Sequence, residues 1–173
     1  MTQNYGPEIT LREMTIIVAR EELAKKVREV PPGSNRGPDV DKYLREGGGL
    51  DPEGNHYAWC TSFVVWCIRE ASRRLGVSTS YGPAASVQKL RDRHPSLKID
   101  TPEAGCIWQK LNAAGAGHTG LVVSVNVEAG TMETIEGNTS SQPGTEQQDR
   151  EGDGVYARVR QISEATAGFW RVV

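Results

Sequence analysis

Apolar and polar positions alternate along this chain in two different rhythms, helical in the first half and stranded in the second. Thr10-Leu11-Arg12-Glu13 reads as a capping box, in which a hydroxyl and a carboxylate satisfy each other's backbone N–H groups. Met14, Ile17, Val18, Leu23 and Val27 follow at approximately helical spacing, and Pro31-Pro32-Gly33 ends the run. After the turn-rich Ser34-Asn35-Arg36-Gly37-Pro38, Asp39 is positioned to cap a short helix through Leu44, stopped by Gly47-Gly48-Gly49. Leu50 to Ala58 is irregular. A longer helix starts at Cys60 and places Phe63, Val64, Cys67, Ala71 and Leu75 on one face, with Arg69, Glu70 and Arg73 toward water. Gly76 stops it, and Ser86 to Arg93 reads as another short helix.

Beyond Pro102 the period shortens. Strands are expected at Cys106-Ile107-Trp108, His118 to Val125, Thr131 to Glu136, Val155 to Val159 and Phe169 to Val173. Ser140 to Asp153 is polar and rich in Gly, Asp, Glu and Gln, and reads as a long exposed loop. Helices first and antiparallel strands second predict an α+β fold. With 173 residues and no repeats, one domain over 1–173 is expected, its core from about residue 10.

Charge and composition remove several function classes. A formal charge of −2 and a pI near 6.0 give no basic footprint for nucleic acid and no polybasic anchor for a membrane. No apolar run reaches the length of a membrane span. Met1 to Tyr5 lacks a positive region leading into an apolar stretch, so synthesis in the cytoplasm without a signal peptide is expected. Three cysteines, Cys60, Cys67 and Cys106, do not make a disulfide framework. Cys60 and Cys67 stand about two helical turns, roughly 10 Å, apart, too far for a bridge. No zinc-ligand spacing is present, and neither a metal nor a cofactor is expected.

Cys60 differs from the other two thiols in its position. A lone cysteine is most often buried and inert, which suits Cys67 on an apolar helix face and Cys106 in an apolar strand. Cys60 opens a helix after a polar loop, where the helix dipole and unpaired N–H groups favour a thiolate. His118 follows the small-residue stretch Ala113 to Gly117 at the start of a strand and can act as its proton partner. His94, before Pro95, reads as solvated, and His56 is placed to line the cleft. Glu136 and Asn138 are two apart and share a face in an extended strand. Either can accept the His118 Nδ1–H, with Glu136 the preferred orienter and Asn138 a supporting or substrate-contacting group. The Cys60 N–H, or a side chain such as Tyr57 or Asn55, can stabilise an oxyanion. Trp59 can wall the cleft or contact substrate, although core packing suits it equally.

Several segments in order resemble the CHAP domain (cysteine, histidine-dependent amidohydrolase/peptidase), within the papain-like cysteine hydrolase class. They are Pro31 to Gly37, Trp59-Cys60-Thr61-Ser62-Phe63-Val64, Gly117 to Val123, Ile135 to Thr139, Gly152 to Tyr156 and Gly168 to Val172. The resemblance implies a papain-like fold with N-terminal helices packed on a C-terminal antiparallel sheet. It implies Cys60 as nucleophile, His118 as base then acid, and Glu136 or Asn138 as third member. It also implies cleavage of amide bonds in peptidoglycan by a phage lysin, a wall-remodelling enzyme or an antibacterial effector. The chain departs from the family at Gly105-Cys106-Ile107, where an aspartate is common. Asp51-Pro52-Glu53-Gly54-Asn55 only weakly echoes the calcium-binding aspartates of some relatives. Without a separate wall-binding segment, the expected partners are the peptidoglycan peptide and a delivery or immunity protein. The site of action would then be the wall or periplasm, after dedicated export or lysis. Competing readings are a catalytically silent wall-binding or phage-tail module and an amidase acting on a small cytosolic amide.

Overall fold

The first helix forms where its cap predicts. In the computed structural model, which describes residues 9–113, 115–141 and 152–173, Thr10 and Glu13 make the reciprocal capping bonds that open α1, Leu11–Ala24. A short α2, Pro38–Lys42, runs into a wide π-helical turn over Tyr43–Gly48. Gly37, not Asp39, is the N-cap of α2, because Pro38 takes the first helical position, where its missing N–H costs nothing. The long helix α3 spans Cys60–Leu75, and Gly76 closes it in the left-handed region at φ 68°. Ser86 caps α4, Val87–Arg93.

Among the described residues six strands follow: β1 Lys98–Ile99, β2 Ile107–Leu111, β3 Gly117–Asn126, β4 Thr131–Thr139, β5 Gly154–Gln161 and β6 Gly168–Trp170. They form one antiparallel sheet in the order β1-β6-β2-β3-β4-β5. Strand β1, two residues long, was not expected; its sequence carries no alternation to find. Most of the loop expected over 140–153 falls at 142–151, outside the described residues.

Period-2 alternation gives the sheet two buried faces. Ile107, Leu121, Ile135, Val155 and Trp170 join Val18, Phe63, Val64, Cys67 and Ile68 in the principal core, beneath α1 and α3. Cys106, Trp108, Val122, Met132 and Phe169 form a second cluster. Helix α3 is more enclosed than an amphipathic stripe predicts: every residue from Cys60 to Ile68 is buried. Glycine explains how a second wall comes so close. A Cβ on Gly47 would lie 2.0 Å from the Ser62 carbonyl oxygen, so the π-helical turn can rest on α3 only without a side chain there. Among the described residues no helix is long and apolar enough to cross a membrane. The fold is α+β and papain-like, with the helices and the antiparallel sheet disposed as expected.

Candidate active site

Cys60 is the first residue of α3, and the residue before it, Trp59, offers the helix no side-chain cap. The first-turn N–H groups therefore remain available to an anion at this end. Two contacts fix where this end sits. The Trp59 indole donates to Glu29 Oε1 at 2.9 Å, while Glu29 Oε2 accepts from the Asn35 N–H at 3.0 Å, tying the 31–37 loop to the start of the helix. Beneath it, Gly137 of β4 leaves the space that Trp59 and Phe63 occupy: a Cβ there would lie 2.6 Å from Trp59 and 2.7 Å from Phe63.

The stranded half supplies the partners. His118, Glu136 and Arg160 come from neighbouring strands β3, β4 and β5, and all three are buried. His118 Nε2 lies 2.8 Å from Glu136 Oε2. Glu136 also accepts from Thr134 Oγ1 at 2.5 Å and, through both oxygens, from Arg160 at 2.9 and 2.7 Å. Gly120 makes room for this arrangement, since a Cβ there would lie 2.6 Å from Glu136 and 2.7 Å from the Trp108 indole nitrogen. The Trp108 ring meets His118 edge-on with centroids 5.8 Å apart, and the Arg160 guanidinium lies 5.3 Å from the same ring.

The nitrogen facing Glu136 is Nε2, not the Nδ1 expected from sequence. His118 Nδ1 has no hydrogen-bond partner of good geometry, and it is the atom left for Cys60, the other group coupled to this ring. Burial alone would raise the Cys60 thiol, but the neighbouring imidazole, with smaller help from Thr61, outweighs it and holds the thiol below its ordinary value. Burial alone would lower His118, yet Cys60 and Glu136 together push it up to about 9. Burial would raise Glu136, but Arg160 and His118 hold it far below the usual carboxylate range. Each of the three shifts favours the charged form of its group.

A family model described as CHAP domain matches residues 52–138, half of the chain. The chain belongs to the CHAP family. Cys60, His118, Glu136 and Asn138 all fall within the matched CHAP stretch, while Arg160 lies beyond it. Membership makes this CHAP protein hydrolase- or peptidase-like at the coarse level. Comparisons with curated proteins and with solved structures gave no match.

Other residues singled out from the CHAP sequence fall elsewhere. Trp59 is not a cleft wall: it is fully buried and stacks on Tyr43 with centroids 5.8 Å apart, because its indole has an internal acceptor in Glu29. Asn55 spends its amide on the Asp51 and Glu53 carbonyls, closing its own turn, whereas Tyr57 is exposed. Asn138 is buried at a left-handed φ of 56°, where β4 loses register with β5. His56 is exposed, with Nδ1 2.6 Å from the Ser34 carbonyl oxygen. His94 is not solvated: it packs on Tyr81 with ring centroids 4.3 Å apart, and burial lowers its pKa. Cys67 and Cys106 lie in the two clusters, and burial raises both thiols, Cys106 to about 12. Arg160 cannot be singled out from the sequence, since its contact with Glu136 depends on the pairing of β4 with β5, which no local pattern reveals.

Proposed function

We propose that the protein is a cysteine amidohydrolase or endopeptidase that cuts an amide bond in the peptide part of bacterial peptidoglycan. One observation carries this reading: a thiol at an uncapped helix start is coupled to an imidazole whose far nitrogen is held by a buried carboxylate. Such a pair supplies a nucleophile and a proton donor at neutral pH. The Cys60 thiolate attacks the amide carbonyl, forming the S–C bond and moving the carbonyl π electrons onto oxygen. The N–H groups of the first turn of α3, which no side chain caps, receive that oxyanion. As the intermediate collapses the C–N bond breaks, and His118 gives its Nδ1 proton to the departing amine. Neutral His118 then takes a proton from water, which attacks the thioester and releases the acid and the Cys60 thiolate. Glu136 keeps the ring oriented throughout.

The peptidoglycan substrate rests on CHAP membership, and the chain would reach it in the wall or periplasm with the help of a delivery partner. Digestion of purified peptidoglycan by wild type and Cys60→Ala, with the fragments read by mass spectrometry, tests the reading. New amine termini with wild type alone support it and identify the bond; equal release by both proteins rejects it. Directing the protein to the periplasm of a test bacterium separates the wall from a cytosolic amide as substrate. Lysis should follow export and vanish with Cys60→Ala.

A further inference from the structure

Glu136 is a completely buried carboxylate, and hydrogen bonding to an imidazole alone would leave it poorly compensated. It is instead gripped by Arg160 through both oxygens, at 2.9 and 2.7 Å, with the Thr134 hydroxyl as a further donor. Arg160 is itself only 3% exposed. Its remaining surroundings include Glu164 at 3.4 Å and the face of Trp108, the ring that also flanks His118. A planar five-donor fork can hold a carboxylate in one orientation, which a lysine point charge cannot. From the geometry we infer that Arg160 is a positioning residue of the site: by fixing Glu136 in place and in its ionised form, it sustains the imidazolium that stabilises the Cys60 thiolate.

The charged and polar groups facing this line come from five elements. They are Cys60 and Thr61 on α3, His118 on β3, Thr134 and Glu136 on β4, Arg160 on β5, and the partly exposed Glu164 in the turn Ile162–Glu164, 3.4 Å from the guanidinium. With Cys60, His118, Glu136 and Arg160 ionised, the four buried charges cancel. Removing the guanidinium leaves two negative charges against one positive charge in a site of low polarity. A proton then returns to Glu136 or to the sulfur. In either case thiolate formation requires a higher pH. The guanidinium touches no reacting atom, so its influence must pass through Glu136 and His118.

This inference rests on Cys60 being the nucleophile, and the test separates the two. The rate of Cys60 carboxamidomethylation by iodoacetamide is followed against pH in wild type, Arg160→Gln and Arg160→Lys, with circular dichroism confirming the fold of each. In wild type the rate should rise at a pH below the ordinary thiol range. If it does not, the nucleophile reading fails before Arg160 is at issue. In Arg160→Gln the midpoint should move up by about one pH unit, and in Arg160→Lys by a smaller amount, because the charge returns without the fork. A folded Arg160→Gln with the wild-type midpoint overturns the inference. Should Arg160→Gln not fold, Arg160→Lys decides: an upward displacement supports the role, and a superimposable profile overturns it.

Discussion

Cys60 and Cys67 lie on one helix, both buried, and their thiols are driven in opposite directions. Cys67 is two turns into α3 among Val64, Ile68 and Ala71, where burial acts almost unopposed and holds the sulfur protonated. Cys60 suffers the same burial, but it stands at the uncapped end of the helix beside His118, and the imidazole reverses the outcome. Burial therefore does not by itself set the direction in which a thiol shifts in this molecule. A buried charge of opposite sign, itself held by a further partner, does.

The contrast can be broken most severely at the sulfur. Cys60→Ala should lower hydrolysis about 10⁴-fold or more, since members of a nucleophile–base pair act as one unit. His118→Gln should follow at about 10³-fold, the scale of general acid–base catalysis. It should also drive the Cys60 thiol upward, because burial would then act on Cys60 as it does on Cys67. The same pair sets the pH profile. Below the lowered thiol value the sulfur is protonated and inert; above the raised His118 value the proton destined for the leaving amine is gone. Activity should be bell-shaped, with its alkaline limb near pH 9.

Gly137→Ala should act more gently, lowering the rate about 10- to 100-fold. A methyl 2.6 Å from Trp59 would push the start of α3 away from the sheet that carries His118. A rate unchanged from wild type, in a protein of unchanged melting temperature, would argue against that seating. Cys67→Ala sharpens the comparison by doing least. Hydrolysis should stay within about two-fold, while stability falls by about 1–2 kcal/mol from the cavity left behind.

Much of this was legible because the signals were local. The Thr10–Glu13 box, Ser86 and Gly76 mark helix ends by chemistry that acts over four residues. The strands containing His118 and Glu136 announced themselves by alternation, and the order of Cys60, His118 and Glu136 pointed to one family. What was hidden depends on long-range pairing. Arg160 meets Glu136 across 24 residues of chain, and Trp59 meets Glu29 across 30. A surface arginine and an arginine beneath a sheet look alike until strand register is known. His94 misled for the same reason: beside a proline at a helix end it resembles a solvated residue, and only the return of the chain at Tyr81 encloses it. The choice of His118 nitrogen was likewise beyond reach, since it follows from ring orientation within the folded sheet.

Helix position and His118 should make Cys60 the thiolate while Cys67 and Cys106 remain thiols. The decisive measurement is limited iodoacetamide labelling of the folded protein at pH 7, with each cysteine quantified by peptide mass spectrometry. Cys60 should be modified rapidly in wild type, Cys67 and Cys106 not at all on that timescale, and the Cys60 reaction should be lost in His118→Gln. Labelling of Cys60 no faster than the other two, or equally fast without His118, would contradict that assignment.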